Sequence, residues 1–414
     1  MHIIVHRGTR QIGGSVIELA TENTRIILEI GEDLPKWEDK SKKTAAKYPY
    51  VEGLFEKGDK TVDAILISHS HGDHIGLYPY VNQEIPIYIG EKSCEIYNMT
   101  RRFIGSDLRI QAYDFLKHGN PIRIGDFTVI PYLVDHSAYD AYAFVIQANG
   151  KSVVYTGDIR EHGKKGKLTS LFMNSLPKGA DVLLTEGTML GRMDEKLITE
   201  DEIKEEATQL MSSVMQPVLV FQSSTNIDRL VAMYNAAKTN HRTFVIDIYT
   251  AAIIDALGGS VGSILKKARV VYPYHLTDKM FQNGEKELMY RFAHKKITID
   301  ELNENPHYCM IIRSSMLGLV QNLSNLESGL LIYSMWQGYR ENSKVKKVLD
   351  YLEERHVERK HLHTSGHGGI QTLLKIANQC QAKRVIPIHT EHSEKFKEIF
   401  ENVYLLEDKE VLTV

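Results

Sequence analysis

Ser68-His69-Ser70-His71-Gly72-Asp73-His74 decides how the rest of the chain is read. It places three imidazoles and one carboxylate within six positions, directly after the apolar run Ala64-Ile65-Leu66-Ile67. Where a strand runs into a loop, His69 and His71 alternate onto one face and can share a cation. Asp73 and His74, in the turn that follows, can hold a second one. A merely solvated loop would have to crowd these imidazoles together with no common partner.

A metal site needs further ligands, and these are expected singly at strand ends. His136 follows the strand-like stretch Thr128 to Val134, Asp158 follows Val153 to Gly157, and His389 ends the stretch Arg384 to Ile388. Taken alone, each serves equally well as a cap or turn residue. With the opening cluster they complete two sites, in which an Asp beside two metals can bridge them.

With these residues in place the chain resembles the metallo-β-lactamase superfamily, whose His-x-His-x-Asp-His motif stands here as His69 to His74. His136 and Asp158 match the next two positions in order. The resemblance implies two divalent metal ions, zinc in first place and manganese as the alternative. His69, His71, His136 and Asp158 would hold one, and Asp73, His74, Asp158 and His389 the other. The family usually ends an early strand with Asp, whereas Arg25 to Gly31 offers Glu29. Glu29 either takes that place behind the ligands or is an ordinary exposed side chain.

The carboxy-terminal region narrows the resemblance. His363-Thr364-Ser365-Gly366-His367, the amphipathic segment Leu373 to Cys380, Pro387-Ile388-His389-Thr390-Glu391 and the earlier Thr185-Glu186-Gly187-Thr188 resemble the extra motifs of the β-CASP nucleases. These motifs imply a catalytic set of His367, Glu186 and Asp73, the last doubling as a ligand. Phosphodiester cleavage needs a nucleophile, stabilisation of phosphoryl charge and a proton for the departing alkoxide. Metals supply the first two. His367 is the candidate acid, with Glu186 holding its other nitrogen. His363 and Ser365 are candidate phosphate contacts or simple turn residues.

Composition fits an ordinary globular protein: 414 residues, 43% hydrophobic and 25% charged, enough for two or three domains with real cores. A net charge of −3 argues against a non-specific basic coat for nucleic acid, and leaves room for a local groove. Arg101-Arg102, Lys164 to Lys167 and Lys266 to Arg269 could line an entrance or form solvated faces. Met1 to Val5 enters a strand at once, so no leader is expected, and no apolar stretch approaches a membrane span. Cys94, Cys309 and Cys380 are few, odd in number and far apart, which suits reduced core thiols in a cytoplasmic protein.

Residues 1 to about 195 read as short strands with few helices, Gly13-Gly14 forming a turn before the strand Ser15 to Ala20. From Ile198 the pattern changes to alternating helices and strands, starting with a capped helix at Thr199 and continuing to Arg355. That alternation indicates a parallel α/β domain. The expected α/β fold is therefore a metallo-β-lactamase αββα sandwich, residues 1–196 and 356–414, with an inserted parallel α/β β-CASP domain, 197–355. The resemblance places the active site in the cleft between them.

Within the β-CASP group the chain is most similar to bacterial and archaeal ribonuclease J. Ser223-Ser224-Thr225-Asn226 resembles a loop that seats a 5′ phosphate there, or is a plain helix cap. On that reading Ser224 and Thr225 join His363 and Ser365 as substrate-binding residues. Two departures stand out: the chain stops at Val414 without an additional carboxy-terminal domain, and Ser334 to Tyr339 differs from the Thr-Gly-Ser-Gln-Gly-Glu-Pro pattern. The expected function is metal-dependent hydrolysis of RNA, from the 5′ end, internally or both. A DNA-directed nuclease, a small-molecule metallo-hydrolase and a non-catalytic scaffold are the alternatives, and homo-oligomerisation stays open.

Overall fold

A computed structural model describes residues 1–34, 48–55 and 61–414. They form two compact units: Met1–Cys94 with Ile110–Leu197 and Gly366–Val414, and Glu95–Arg109 with Ile198–Ser365.

The first unit holds two sheets. One contains β1 (His2–Arg7), β2 (Val16–Ala20), β3 (Arg25–Leu28), β4 (Ala64–Leu66), β5 (Ile87–Gly90), β6 (Asp114–Leu116) and β19 (Val411–Thr413), in the order β19-β1-β2-β3-β4-β5-β6. The other contains β7 (Ile122–Ile124), β8 (Phe127–Val134), β9 (Ala141–Ala148), β10 (Lys151–Tyr155), β11 (Val182–Glu186) and β18 (Val385–Ile388), in the order β18-β11-β10-β9-β8-β7. Val5, Leu19, Ile26 and Leu66 of the first pack with Phe127, Phe144, Tyr155 and Leu184 of the second in one buried cluster. The two-residue period of a strand sends Val154 to the opposite face. There it meets Phe172 of the helix Gly166–Asn174 and Leu373 and Ile376 of the helix Ile370–Cys380. Burial on both faces explains why β10 and β11 read as nearly continuous apolar runs.

The second unit is built on a six-stranded parallel sheet of β12 (Val218–Phe221), β13 (Thr243–Asp247), β14 (Arg269–Val271), β15 (Tyr308–Ile312), β16 (Leu330–Tyr333) and β17 (Glu358–His361). Their order is β14-β13-β15-β12-β16-β17, with helices in the connections. The helix Glu200–Ser212 opens with a capping box in which Thr199 and Glu202 satisfy each other's backbone N–H groups. The mixed α/β architecture is the one expected from the sequence.

Three features depart from the strand-and-helix reading. Helices Glu91–Phe103 and Gly166–Asn174 fall in the stretch read as strand-rich. The second unit also runs past residue 355, because β17 pairs in parallel with β16 from Leu330–Glu358 to Tyr333–His361. Residues 95–109 belong to that unit as well, although they come from the part assigned to the first domain.

Candidate metal centre

Strand direction gathers the candidate ligands. β10, β11 and β18 run parallel, and β8 runs the same way because it is antiparallel to β9, itself antiparallel to β10. Their carboxy-terminal ends therefore lie along one edge of the sheet and carry His136, Asp158, Glu186 and His389. In the other sheet β3 and β4 are also parallel, so Glu29 and the His69 loop leave from neighbouring strand ends.

The donor atoms converge. His71 Nδ1 lies 3.1 Å from His69 Nε2 and 3.2 Å from His136 Nε2. Asp158 Oδ2 lies 3.2 Å from His74 Nε2 and 3.7 Å from both His69 Nε2 and His136 Nε2. Asp73 Oδ2 is 3.2 Å from His389 Nε2. Three sets lie close enough to share an ion: His69, His71 and His136; His69, His74 and Asp158; and Asp73, His74 and His389. A fourth such set comprises Asp158, Glu186, His367 and His389. The structure thus brings together all seven residues expected to bind metal, together with the expected acid and its partner.

Behind the ring nitrogens that face the cluster stands a second row of groups. His69 Nδ1 meets Ser68 Oγ at 2.9 Å, His136 Nδ1 meets the Gly366 carbonyl at 2.6 Å, and His389 Nδ1 meets Thr188 Oγ1 at 2.9 Å. His367 Nδ1 lies 2.8 Å from Glu186 Oε2, whose other oxygen accepts the Ile159 N–H at 2.8 Å. Glu29 is fully buried, which excludes the exposed alternative. Its carboxylate accepts from the Ser68 N–H at 3.1 Å and the Tyr155 hydroxyl at 3.0 Å, and it lies 3.5 Å from His74 Nδ1. Such outer partners fix ring orientation and tautomer. Thr188 could have been noticed two positions after Glu186, whereas a backbone carbonyl such as that of Gly366 leaves no signal in sequence.

Backbone conformation contributes too. Glu29 and His389 have φ of 63° and 52°, in the left-handed region that non-glycine residues avoid. The carbonyl of Asp73 accepts the N–H groups of Gly14 and Ser15 at 3.1 and 3.3 Å. A Cβ on Gly31 would come within 1.8 Å of that carbonyl oxygen, so the cradle beneath Asp73 requires glycine there.

Electrostatics suit a cation. Burial, reinforced by neighbouring imidazoles, drives the pKa of His69 well below its usual value; burial likewise lowers His71 and His136 despite nearby Asp158. Burial opposes charge on Asp158 and Asp73, but surrounding histidines outweigh it and hold both carboxyls below the usual range. Neutral imidazoles and ionised carboxylates are the forms that bind metal. His74 lies between two carboxylates, Asp158 and Glu29, which outweigh its burial and raise its pKa, and Oδ1 of Asp158 is buried without a hydrogen-bond partner. A buried lone pair left without a partner costs free energy, and a divalent ion would satisfy it. The residues fit the metals expected from sequence. For His367, burial works against protonation, yet Glu186 and Asp158 outweigh it and raise its pKa.

The expected substrate-binding residues belong to the second unit. Ser224 is buried and its hydroxyl meets Thr250 Oγ1 at 2.7 Å; the Thr225 hydroxyl meets Ser223 Oγ at 2.9 Å. Asn226 caps the helix Ile227–Thr239 by accepting from the Arg229 N–H. Ser365 is buried and His363 half-buried.

Residues 49–221 match the family described as a beta-lactamase superfamily domain. Ribonuclease J of Helicobacter pylori is 23% identical over 98% of the chain, which spans 60% of that protein's length. An RNase J-like protein of Methanocaldococcus jannaschii is 22% identical over 76% of the chain and 71% of its own length. A crystal structure of a protein of unknown function from Enterococcus faecalis V583 superposes with a TM-score of 0.80 and 22% identity, over 100% of this chain and 99% of that one. Residues 49–221 thus match a beta-lactamase superfamily domain, and over nearly its whole length the chain is similar to ribonuclease J.

Proposed function

We propose that the chain is a metal-dependent ribonuclease that hydrolyses RNA phosphodiester bonds with two divalent ions. One observation carries the reading: seven ligand side chains converge beside a histidine whose Nδ1 is already held by a buried carboxylate. Bound metals would activate water and neutralise charge on the phosphoryl oxygens. The side chains do the rest. Glu186 holds His367 through Nδ1, so that Nε2 would deliver a proton to the departing ribose oxygen, and the raised pKa favours the protonated ring. Asp158, flanked by three imidazoles, suits a bridge between the ions. The unit of Met1–Cys94, Ile110–Leu197 and Gly366–Val414, near the 1–196 and 356–414 expected from sequence, would carry this chemistry, with the expected 197–355 forming most of the inserted domain. His363, Ser365, Ser224 and Thr225 would seat a terminal phosphate and favour 5′-to-3′ trimming.

Three buried cysteines without disulfides fit a reducing cytoplasm, and no helix among the described residues is long and apolar enough to cross a membrane.

The test separates acid from ligand. His367→Ala should slow RNA hydrolysis by about 100-fold or more with metal content nearly intact. His389→Ala should lower metal content. The reverse pattern, or hydrolysis indifferent to chelator, would overturn the assignment. Faster release of mononucleotides from 5′-monophosphate RNA than from 5′-triphosphate RNA, with a circular RNA cut slowly, is the expected sign of end recognition. Rapid cutting of the circle would indicate internal cleavage.

A further inference from the structure

We infer that the second unit carries an auxiliary surface for single-stranded RNA on residues 266–296, a reading that rests on the proposed ribonuclease function. This stretch contains eight lysines and arginines against three acidic residues, a net of plus five in a chain whose total is −3. One of the acids, Glu285, is paired with Arg102, while Arg269 and Arg291 pair with Glu301 and Asp255 outside the stretch and the six lysines keep the excess positive. The stretch also exposes three aromatic rings: Tyr274 at 75%, Phe281 at 54% and Tyr290 at 74%. Tyr274 and Phe281 are seven residues apart on the helix Tyr274–Gln282, which puts them on one stripe, and Tyr290 lies on the next helix, Lys286–Arg291.

Rings left in water beside surplus positive charge suit a polyanion whose bases offer flat faces. Stacking on aromatic side chains is tolerant of sequence, and lysines follow the phosphates. The side chains already show this pairing of ring and cation, with Lys286 Nζ 4.5 Å over the Phe281 ring and Lys296 Nζ 5.9 Å over that of Tyr272. A second copy of the chain would bring the same positive charge to the surface and be repelled, whereas RNA complements it.

The experiment titrates a fluorescent 20-nucleotide oligouridine with full-length chain in a His367→Ala background, so that the RNA survives. Tyr274→Ala with Tyr290→Ala should weaken binding about tenfold or more. Lys267→Glu, Lys279→Glu and Lys286→Glu together should flatten the dependence of log affinity on log salt by about two. In an otherwise unaltered chain, both sets should cleave a four-nucleotide RNA within about twofold of normal, since that RNA is too short to use the surface. Unchanged binding of the 20-mer would overturn the inference. So would loss of self-association in the aromatic variant with RNA binding intact, which would make the face a contact between copies. An unaltered chain that cleaves no RNA would sink the ribonuclease reading alone, because the binding comparison still decides this surface.

Discussion

Two buried polar clusters occupy comparable places in the molecule, at the ends of strands and the starts of helices, and differ in whether they close. In the second unit Arg229 is fully buried and surrounded: its guanidinium donates to Glu200 at 2.9 and 3.1 Å and to Ser334 Oγ at 2.5 Å, with carbonyls of Ser334 and Thr364 beyond. Nearby, Ser224, Thr250 and Asp247 form a chain of hydrogen bonds. In the first unit the rings around Asp158 are held from behind, while inward they meet chiefly one another, and Oδ1 of Asp158 is left over. A closed cluster is part of the fold. An open one, where each orphaned atom costs about 1–3 kcal/mol, is what a site for a bound ion requires.

The contrast is open to direct attack. Asp158→Ala removes the oxygen that lies within 3.7 Å of three imidazoles, so metal content should fall from two equivalents towards none and RNA hydrolysis with it. Elemental analysis of the purified variant gives the answer, and two retained equivalents would break the picture of an open cluster. Arg229→Ala should act on the other side of the comparison. It leaves Glu200 buried without its partner and should cost about 3–5 kcal/mol in denaturant unfolding, and Glu200→Gln added to it should restore part of that loss.

A finer test acts on the groups behind the ligands. Glu29→Gln keeps shape but removes the charge facing His74, and metal affinity measured by chelator competition should drop about 10- to 100-fold while the fold persists. The smallest effect concerns a closed ion pair within the first unit. Burial opposes charge on Glu18, but hydrogen bonds with His6 and Arg25 outweigh it and pull its pKa to about 2 from an ordinary 4.5. Its folded pKa is depressed, so its stabilisation is present above pH 4.5 and fades as pH falls through about 2. After allowance for the partly exposed Arg25, that amounts to about 2 kcal/mol. Stability curves of Glu18→Gln and the unaltered chain should converge in acid; a constant gap would mean that Glu18 contributes by packing alone.

The candidate metal centre was legible because polar residues at strand ends follow from short-range pattern: an apolar run, then a histidine or aspartate. The alternating strands and helices after Ile198 were legible for the same reason, sharpened by the Thr199 cap. What escaped depends on distant partners. Glu358-Arg359-Lys360-His361 is polar and exposed along its length and has no alternation to mark it; only backbone pairing with β16 makes it a strand. Glu29 is indistinguishable from a surface glutamate until Ser68 and Tyr155 fold over it. In the helix Glu91–Phe103 the buried residues are Ser93, Cys94, Ile96, Tyr97 and Phe103, a helical spacing obscured by its polar positions.

The left-handed backbone at Glu29 and His389 implies a conflict between durability and chemistry. A non-glycine residue held there costs on the order of 1–3 kcal/mol, which the surrounding sheets must offset. Glycine would relieve that cost at either position. Random substitution selected only for heat resistance should therefore drift towards His389→Gly and discard a metal ligand as the chain becomes sturdier. Selection for turnover would hold the histidine in place, so the two regimes would pull this single position in opposite directions.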